Sequence, residues 1–408
     1  VSLTRSPRLA AAALALSGAA LSACASDGRE AALQDFAHGR YGAARGFYES
    51  SIAESGSDDA LDRCEAGTVA LVQGDVAAAH RHFSESFASM ADLSSSQAEA
   101  VIAVVGPESS KTWKGDPYER CMNAYYLGVT YWLAGDANNA AACFKAGVLL
   151  DADSEEGEAQ SDFALLWFLM AQAQREARHE DRGASALARA HALLPGNPWL
   201  DPSKNGDANV LVVLDLGLGP AKYASGPHGS QLKFQRRQYG AAYADVSADG
   251  RPLGRTDRAA DVYQQAVTRG DKVIDHVNAG KAVFKDAAVI GGAFVLENSG
   301  SGTSDAIGIA MIAVGLLMPA SADTRHWSTL PGEVQVLLAT LPPGEHDLRI
   351  DVKSAGGATI ADVSRTVRVA VRENHVAFAW MRDAPAEQFE APAGKNENAG
   401  TVTMEEKP

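Results

Sequence analysis

Residues 127–147 read LGVTYWLAGDANNAAACFKAG, and this stretch decides the fold of the first half of the chain. Apolar and small residues recur at helical spacing on both sides of Gly135-Asp136, which marks a turn. Leu127, Gly128 and Tyr131 fall on the leading helix, and Ala140, Phe144 and Gly147 on the returning one. Small residues at 128 and 140 let two antiparallel helices approach closely, while Tyr131 and Phe144 fill the gap to neighbouring hairpins. The same pattern recurs toward the N-terminus. Gly39-Arg40-Tyr41 leads to Ala44 and Tyr48; Gly74-Asp75-Val76 leads to Ala79 and Phe83, with Gly67 as a further packing residue.

The first two turns are 35 residues apart, and the third lies 61 further on, one period plus an insertion over roughly 89–116. A degenerate fourth copy runs Trp167, Met170, Ala171, then Leu187, Ala190 and Pro195, which closes its second helix. There Gly183 replaces the small Ala, and the turn at 178–181 is irregular. Period and residue types resemble the tetratricopeptide family, with the third copy the fullest match. The resemblance implies a short helical repeat domain over 30–200, whose groove binds an extended peptide or a partner helix. Tyr125, Tyr126 and Trp132 stand beside the best copy, as helix-packing core or as an interaction surface.

A breaker-rich boundary at 197–206 opens a second, β-rich domain over 206–385. Val210–Leu214, Val334–Leu338, Leu348–Val352, Val367–Val371 and Val376–Trp380 are runs of strand length. The fold class expected is therefore α+β multidomain: a helical array, then an α/β domain ending in an antiparallel β-sandwich-like module. Residues 261–268 and 281–289 read as helices. The 13-residue apolar run 306–318 falls short of a membrane span, so it reads as buried core or as part of a Gly-rich hairpin, 291–318, that packs on a partner or enters lipid. The polar stretch 389–408 reads as a disordered tail.

At the other end, Arg5 and Arg8 precede a nearly unbroken apolar run of 15 residues, Leu9–Ala23. It ends in Leu21-Ser22-Ala23-Cys24, which resembles a bacterial lipobox. That resemblance implies a signal peptide over 1–23, a lipid-bearing Cys24 with palmitate-type acyl chains, and a tether over 24–29. Ala25 favours the outer membrane, facing the periplasm in a two-membrane cell. The expected partners are the membrane, through that lipid, and other envelope proteins.

Composition agrees with a globular chain: 408 residues, 46% hydrophobic and 21% charged. The net charge of −15 becomes −17 without the two arginines of 1–23, so no nucleic-acid partner is expected. Cys64, Cys121 and Cys143 then remain, read as buried small hydrophobes, with a Cys64–Cys121 disulfide as the lesser alternative.

Three further stretches carry a resemblance over most of 24–385. They are Lys114-Gly115-Asp116-Pro117-Tyr118-Glu119-Arg120, Leu216-Gly217-Leu218-Gly219-Pro220-Ala221-Lys222, and Ala322-Asp323-Thr324-Arg325-His326-Trp327-Ser328-Thr329-Leu330-Pro331. In this order, behind a lipobox and helical repeats, they resemble a family of uncharacterised bacterial envelope lipoproteins, which implies a role in envelope assembly and no established enzymatic activity. Glu119 is expected near a helix start. Arg325 and Trp327 are expected at the domain junction or in an exposed hot spot, with Asp323 paired to Arg325.

No nucleophile elbow, phosphate loop or metal-ligand spacing occurs. No catalytic residue, metal or cofactor is therefore expected. The sequence points to a lipid-anchored, non-enzymatic protein-binding scaffold or adaptor. The rivals are a structural or regulatory subunit of an envelope-assembly machine acting through 291–318, and an unrecognised envelope hydrolase.

Overall fold

A computed structural model describes residues 28–54, 56–91, 112–152, 162–226, 229, 231–269 and 322–387. The expected signal segment with Cys24, residues 92–111 of the expected insertion, the expected helix at 281–289, the Gly-rich 291–318 and the expected tail 389–408 lie outside the described residues.

The helical half runs α1 (28–37), α2 (Tyr41–Ala53), α3 (Asp59–Val72), α4 (Val76–Ala91), α5 (Pro117–Leu133), α6 (Ala137–Ala152), α7 (Ala164–Glu176) and α8 (Glu180–Leu193). These helices form four hairpins in one register. A small residue of each leading helix, Ala32, Gly67, Gly128 or Ala171, is followed twelve positions later by Ala44, Ala79, Ala140 or Gly183. Four positions beyond those stand Tyr48, Phe83, Phe144 and Leu187, all buried. The fit is tight: a Cβ built on Gly128 would lie 2.4 Å from Phe144 Cε1.

The turns repeat as well. Gly39, Gly74 and Gly135 have φ of 76°, 81° and 83°, and in each case the next residue's N–H donates to the carbonyl five positions back. This is the Schellman closure, which needs a left-handed residue. The fourth turn, irregular in sequence, has the same geometry with Arg178 at φ 67°, and His179 N donates to Gln174 O at 2.8 Å.

The second half contains β1 (Val210–Leu216), β2 (Ala221–Ser225), β3 (Gln231–Gln235), β4 (Ala241–Ala248), β5 (Arg251–Arg255), β6 (Asp257–Asp261), α9 (Val262–Arg269), β7 (Glu333–Ala339), β8 (Gly344–Ser354), β9 (Arg365–Val371) and β10 (Ala377–Arg382). One sheet has the order β10-β1-β7-β6, the other β5-β4-β8-β9, and β2-β3 is a separate hairpin. Two expectations are corrected here. The first sheet is mixed, because β1 and β10 run parallel. The sandwich is also not a terminal module, since β1 and β4–β6 supply half of it. Strands β2–β6 were unread in the sequence because stretches such as QLKFQ and RPLGR are polar, short and interrupted by Gly or Pro.

The first sheet is the middle of three layers. Val210, Val212, Leu214 and Leu216 of β1 join the core between the sheets, with Val246, Leu348 and Ile350 opposite. Leu211 and Val213 join the core of the helical array, as do Val334, Val336 and Leu338 of β7. Strand alternation with both faces covered explains why VLVVLDL reads as a continuous apolar run. The array and the sheet therefore share one hydrophobic core across the expected domain boundary.

Candidate functional site

The three stretches that carried the family resemblance converge where the array meets the sheet. Pro117 starts α5, and Asp116 caps it, with the Asp116 N–H donating to Glu119 Oε2 at 2.8 Å. Lys222, on β2, brings its Nζ to 2.7 Å from Glu119 Oε2 and 2.8 Å from Asp116 Oδ2. Trp327 N donates to the other Glu119 oxygen at 2.8 Å. One buried carboxylate therefore joins all three stretches. Burial pushes the Glu119 carboxyl above its ordinary range, against the pull of Lys222. Burial opposes the Lys222 charge too, but Asp116 and Glu119 outweigh it and hold that ammonium above the ordinary lysine range.

Residues 322–331 lie as a strap across the array. Ser328 N and Oγ donate to Glu65 Oε1 at 2.6 and 2.7 Å, and Thr329 N and Oγ1 donate to Glu65 Oε2. Trp327 Nε1 donates to Thr68 and Thr329 hydroxyls at 3.1 Å, and its ring packs 5.5 Å from Tyr126 and 5.8 Å from Phe83. Arg325 pairs with Asp323, as expected, and also with Asp58 at 2.6 Å.

A second buried cluster lies on the sheet. Asp215 is the odd-numbered acid of β1, so alternation turns it toward the array, where the Tyr125 and Tyr126 hydroxyls donate to it at 2.6 and 2.8 Å. Arg382 of β10 stands 3.9 Å from the same carboxylate and donates to the Gly217 and Leu330 carbonyls. Burial raises Asp215 above its ordinary value, and pushes neighbouring Asp383 up to about 7 although Gly217 N donates to both its oxygens.

The residues read either as packing core or as an interaction surface are thus placed in the interior. Tyr125, Tyr126, Trp132 and Trp327 are all buried, and Trp132 stacks on Phe378 of β10 at 4.6 Å. Arg325 is mostly buried in its two ion pairs. The repeat-packing set Gly67, Ala79, Phe83, Leu127, Gly128, Ala140 and Phe144 is buried between helices, Tyr131 packs half-buried at its edge against His80, and Pro195 follows the end of α8. Cys64, Cys121 and Cys143 are free thiols, so the disulfide alternative is set aside.

Sequence reasoning missed Glu65, Asp215, Arg382 and Asp383. The signal was present for two of them: a lone acid in VLVVLDL and a lone arginine ending AFAWMR sit in strands otherwise apolar. A charge there is costly unless a partner waits for it.

The chemistry of this junction is that of a clamp. Its carboxylates are closed by donors from the same chain. The open cleft on the array, about 590 Å³, lies elsewhere, lined by Lys145, Trp167, Met170, Gln174, Asp181, Arg182, Ser185 and Ala186. Among the described residues no cluster of His, Cys, Asp and Glu is placed to hold a metal, and no helix is long and apolar enough to cross a membrane. No protein-family model matches the chain, and no curated protein matches it.

Proposed function

We propose that this chain is a lipid-anchored, non-enzymatic scaffold or adaptor of the bacterial cell envelope, built on a tetratricopeptide-like array. The common register of the four hairpins, their Schellman turns and the Gly128–Phe144 contact support the repeat reading. The lipobox at 21–24 supports the anchor, which raises the local concentration of the array for partners on one membrane face.

The observation that carries the proposal is the division of the array surface. The face of α3, α5 and α7 on which such an array takes a peptide is filled by the chain's own strap and sheet: Thr68 holds Trp327, Tyr125 and Tyr126 hold Asp215, and Arg175 holds the Asn205 and Ala208 carbonyls. Trp167, Met170 and Gln174 stand on the opposite side of α7 and line the open cleft with Lys145 and Arg182. A partner protein engages this outer cleft, with an apolar side chain against Trp167 and Met170 and a carboxylate toward Lys145 and Arg182.

Affinity capture of the native lipoprotein from detergent-solubilised membranes tests this. A stoichiometric partner retained by the wild type and lost from Lys145→Glu/Arg182→Glu is the expected result. Equal capture by both chains overturns the cleft as the site. No partner, together with turnover of cell-wall glycan or peptide, overturns the scaffold.

A further inference from the structure

All four hairpins point the same way, so the array has two unlike ends. One end carries the four short turns at residues 39, 74, 135 and 178. The other gathers the start of α1, the α2–α3 junction, the start of α5 and the root of the strap. These pieces are tied together. Arg29 bonds Asp58 at 3.0 Å and Asp62 at 2.7 Å; Arg325 bonds the other oxygen of Asp58 at 2.6 Å; Trp113 N donates to Ser57 O at 2.8 Å. Lys114 Nζ reaches Ser89 O at 3.0 Å, which places the end of α4 there too.

From this arrangement we infer that the end of the array built from Arg29, Asp58, Trp113 and Arg325 is the surface that lies on the lipid bilayer. The inference rests on the anchored reading of Cys24, and it adds the orientation of the whole molecule. Three residues lie between Cys24 and Gly28, where α1 begins, and the four steps from one to the other span at most about 14 Å when fully extended. Little slack is left beyond that point, because Arg29 fixes the first turn of α1 to α3 and a Cβ on Gly28 would meet the Phe47 ring at 2.6 Å.

Charge permits the approach. Asp58, Asp59, Asp62 and Asp323 are each held by an arginine, so these four meet anionic headgroups as paired charges, and Glu54 is the exposed acid beside them. The turn end is displaced by the length of a hairpin, about 25 Å for the 17 residues of α5.

Depth-dependent quenching tests the orientation. The full-length lipidated protein, in a Cys143→Ala background, is labelled with a fluorophore at Glu54→Cys, beside Asp58, or at Asn138→Cys, at the turn end. Each is reconstituted in phosphatidylethanolamine–phosphatidylglycerol vesicles carrying a headgroup spin label. Quenching at position 54 at least about threefold stronger than at 138 is expected from that separation. Equal quenching, or stronger quenching at 138, overturns the orientation while leaving the anchor standing. Intact mass of the purified chain checks the anchor separately: no acyl mass on Cys24 overturns the anchored reading and this orientation with it.

Discussion

The two sides of the helical array face opposite fates. Toward the sheet, Tyr125, Tyr126, Trp132 and Trp327 are buried and every polar tip among the tyrosines and Trp327 is bonded within the chain. Away from it, Trp167 and Met170 remain partly exposed in a cleft with Lys145 and Arg182. The same residue types serve as cement on one side and as an open surface on the other. The difference teaches that aromatic residues in a repeat do not mark a ligand face once the chain supplies its own occupant.

The comparison can be broken first at Glu119. Glu119→Ala leaves Lys222 buried with one partner fewer and Trp327 N without its acceptor, and a loss of about 3–5 kcal/mol in urea unfolding is expected. A loss under 1 kcal/mol would show that the strap is not held by this carboxylate. Gly128→Ala comes next. The new methyl meets Phe144 at 2.4 Å, so the hairpin must shift at a cost of about 1–3 kcal/mol.

Acidity sharpens the same contrast. Asp383, pushed up to about 7, and Asp62, pushed up to about 6 mainly by burial against the pull of Arg29, bind a proton more tightly folded than unfolded. Stability contributed by these groups is therefore present at low pH and is lost as pH rises from the ordinary carboxylate value of 3.8 through 6 and 7. Unfolding free energy is expected to fall by about 4 kcal/mol between pH 5 and pH 8, and Asp383→Asn to flatten much of that slope. A flat wild-type profile would contradict the burial of these acids.

Arg178→Gly relieves the only turn of the four that lacks glycine, and a gain of about 1 kcal/mol is expected in thermal or urea unfolding. Smallest is the outer cleft: Lys145→Glu should change stability by no more than about 0.5 kcal/mol while weakening partner capture. A large destabilisation there would erase the distinction between the two sides.

The helical hairpins were legible because their information is local. The turn glycines, the small residues twelve positions apart and the aromatics beyond them all lie within one hairpin, so a single stretch such as 127–147 states the rule. The terminal strands were legible for a similar reason, as Val and Leu runs between Gly, Pro and Asn. Strands β2–β6 were not, since their own residues do not alternate cleanly, and β4 and β6 also pair with β8 and β7, about 70 to 110 residues away. Glu65 gave no signal at all, being one acid among many on a helix, until Ser328 and Thr329 arrive from 263 and 264 residues away.

By itself the sequence determined the helical hairpins, their register, the α+β division of the chain, and the pairing of Asp323 with Arg325. Each follows from spacing within a few residues, where backbone geometry alone fixes which side chains meet. Only the tertiary structure decided that one sheet is mixed, that array and sheet share a core, and that the face of the array formed by α3, α5 and α7 is covered by the chain's own strap and sheet. Those outcomes depend on burying apolar surface and on finding partners for Glu119, Lys222 and Asp215, and both are settled only when distant segments come together.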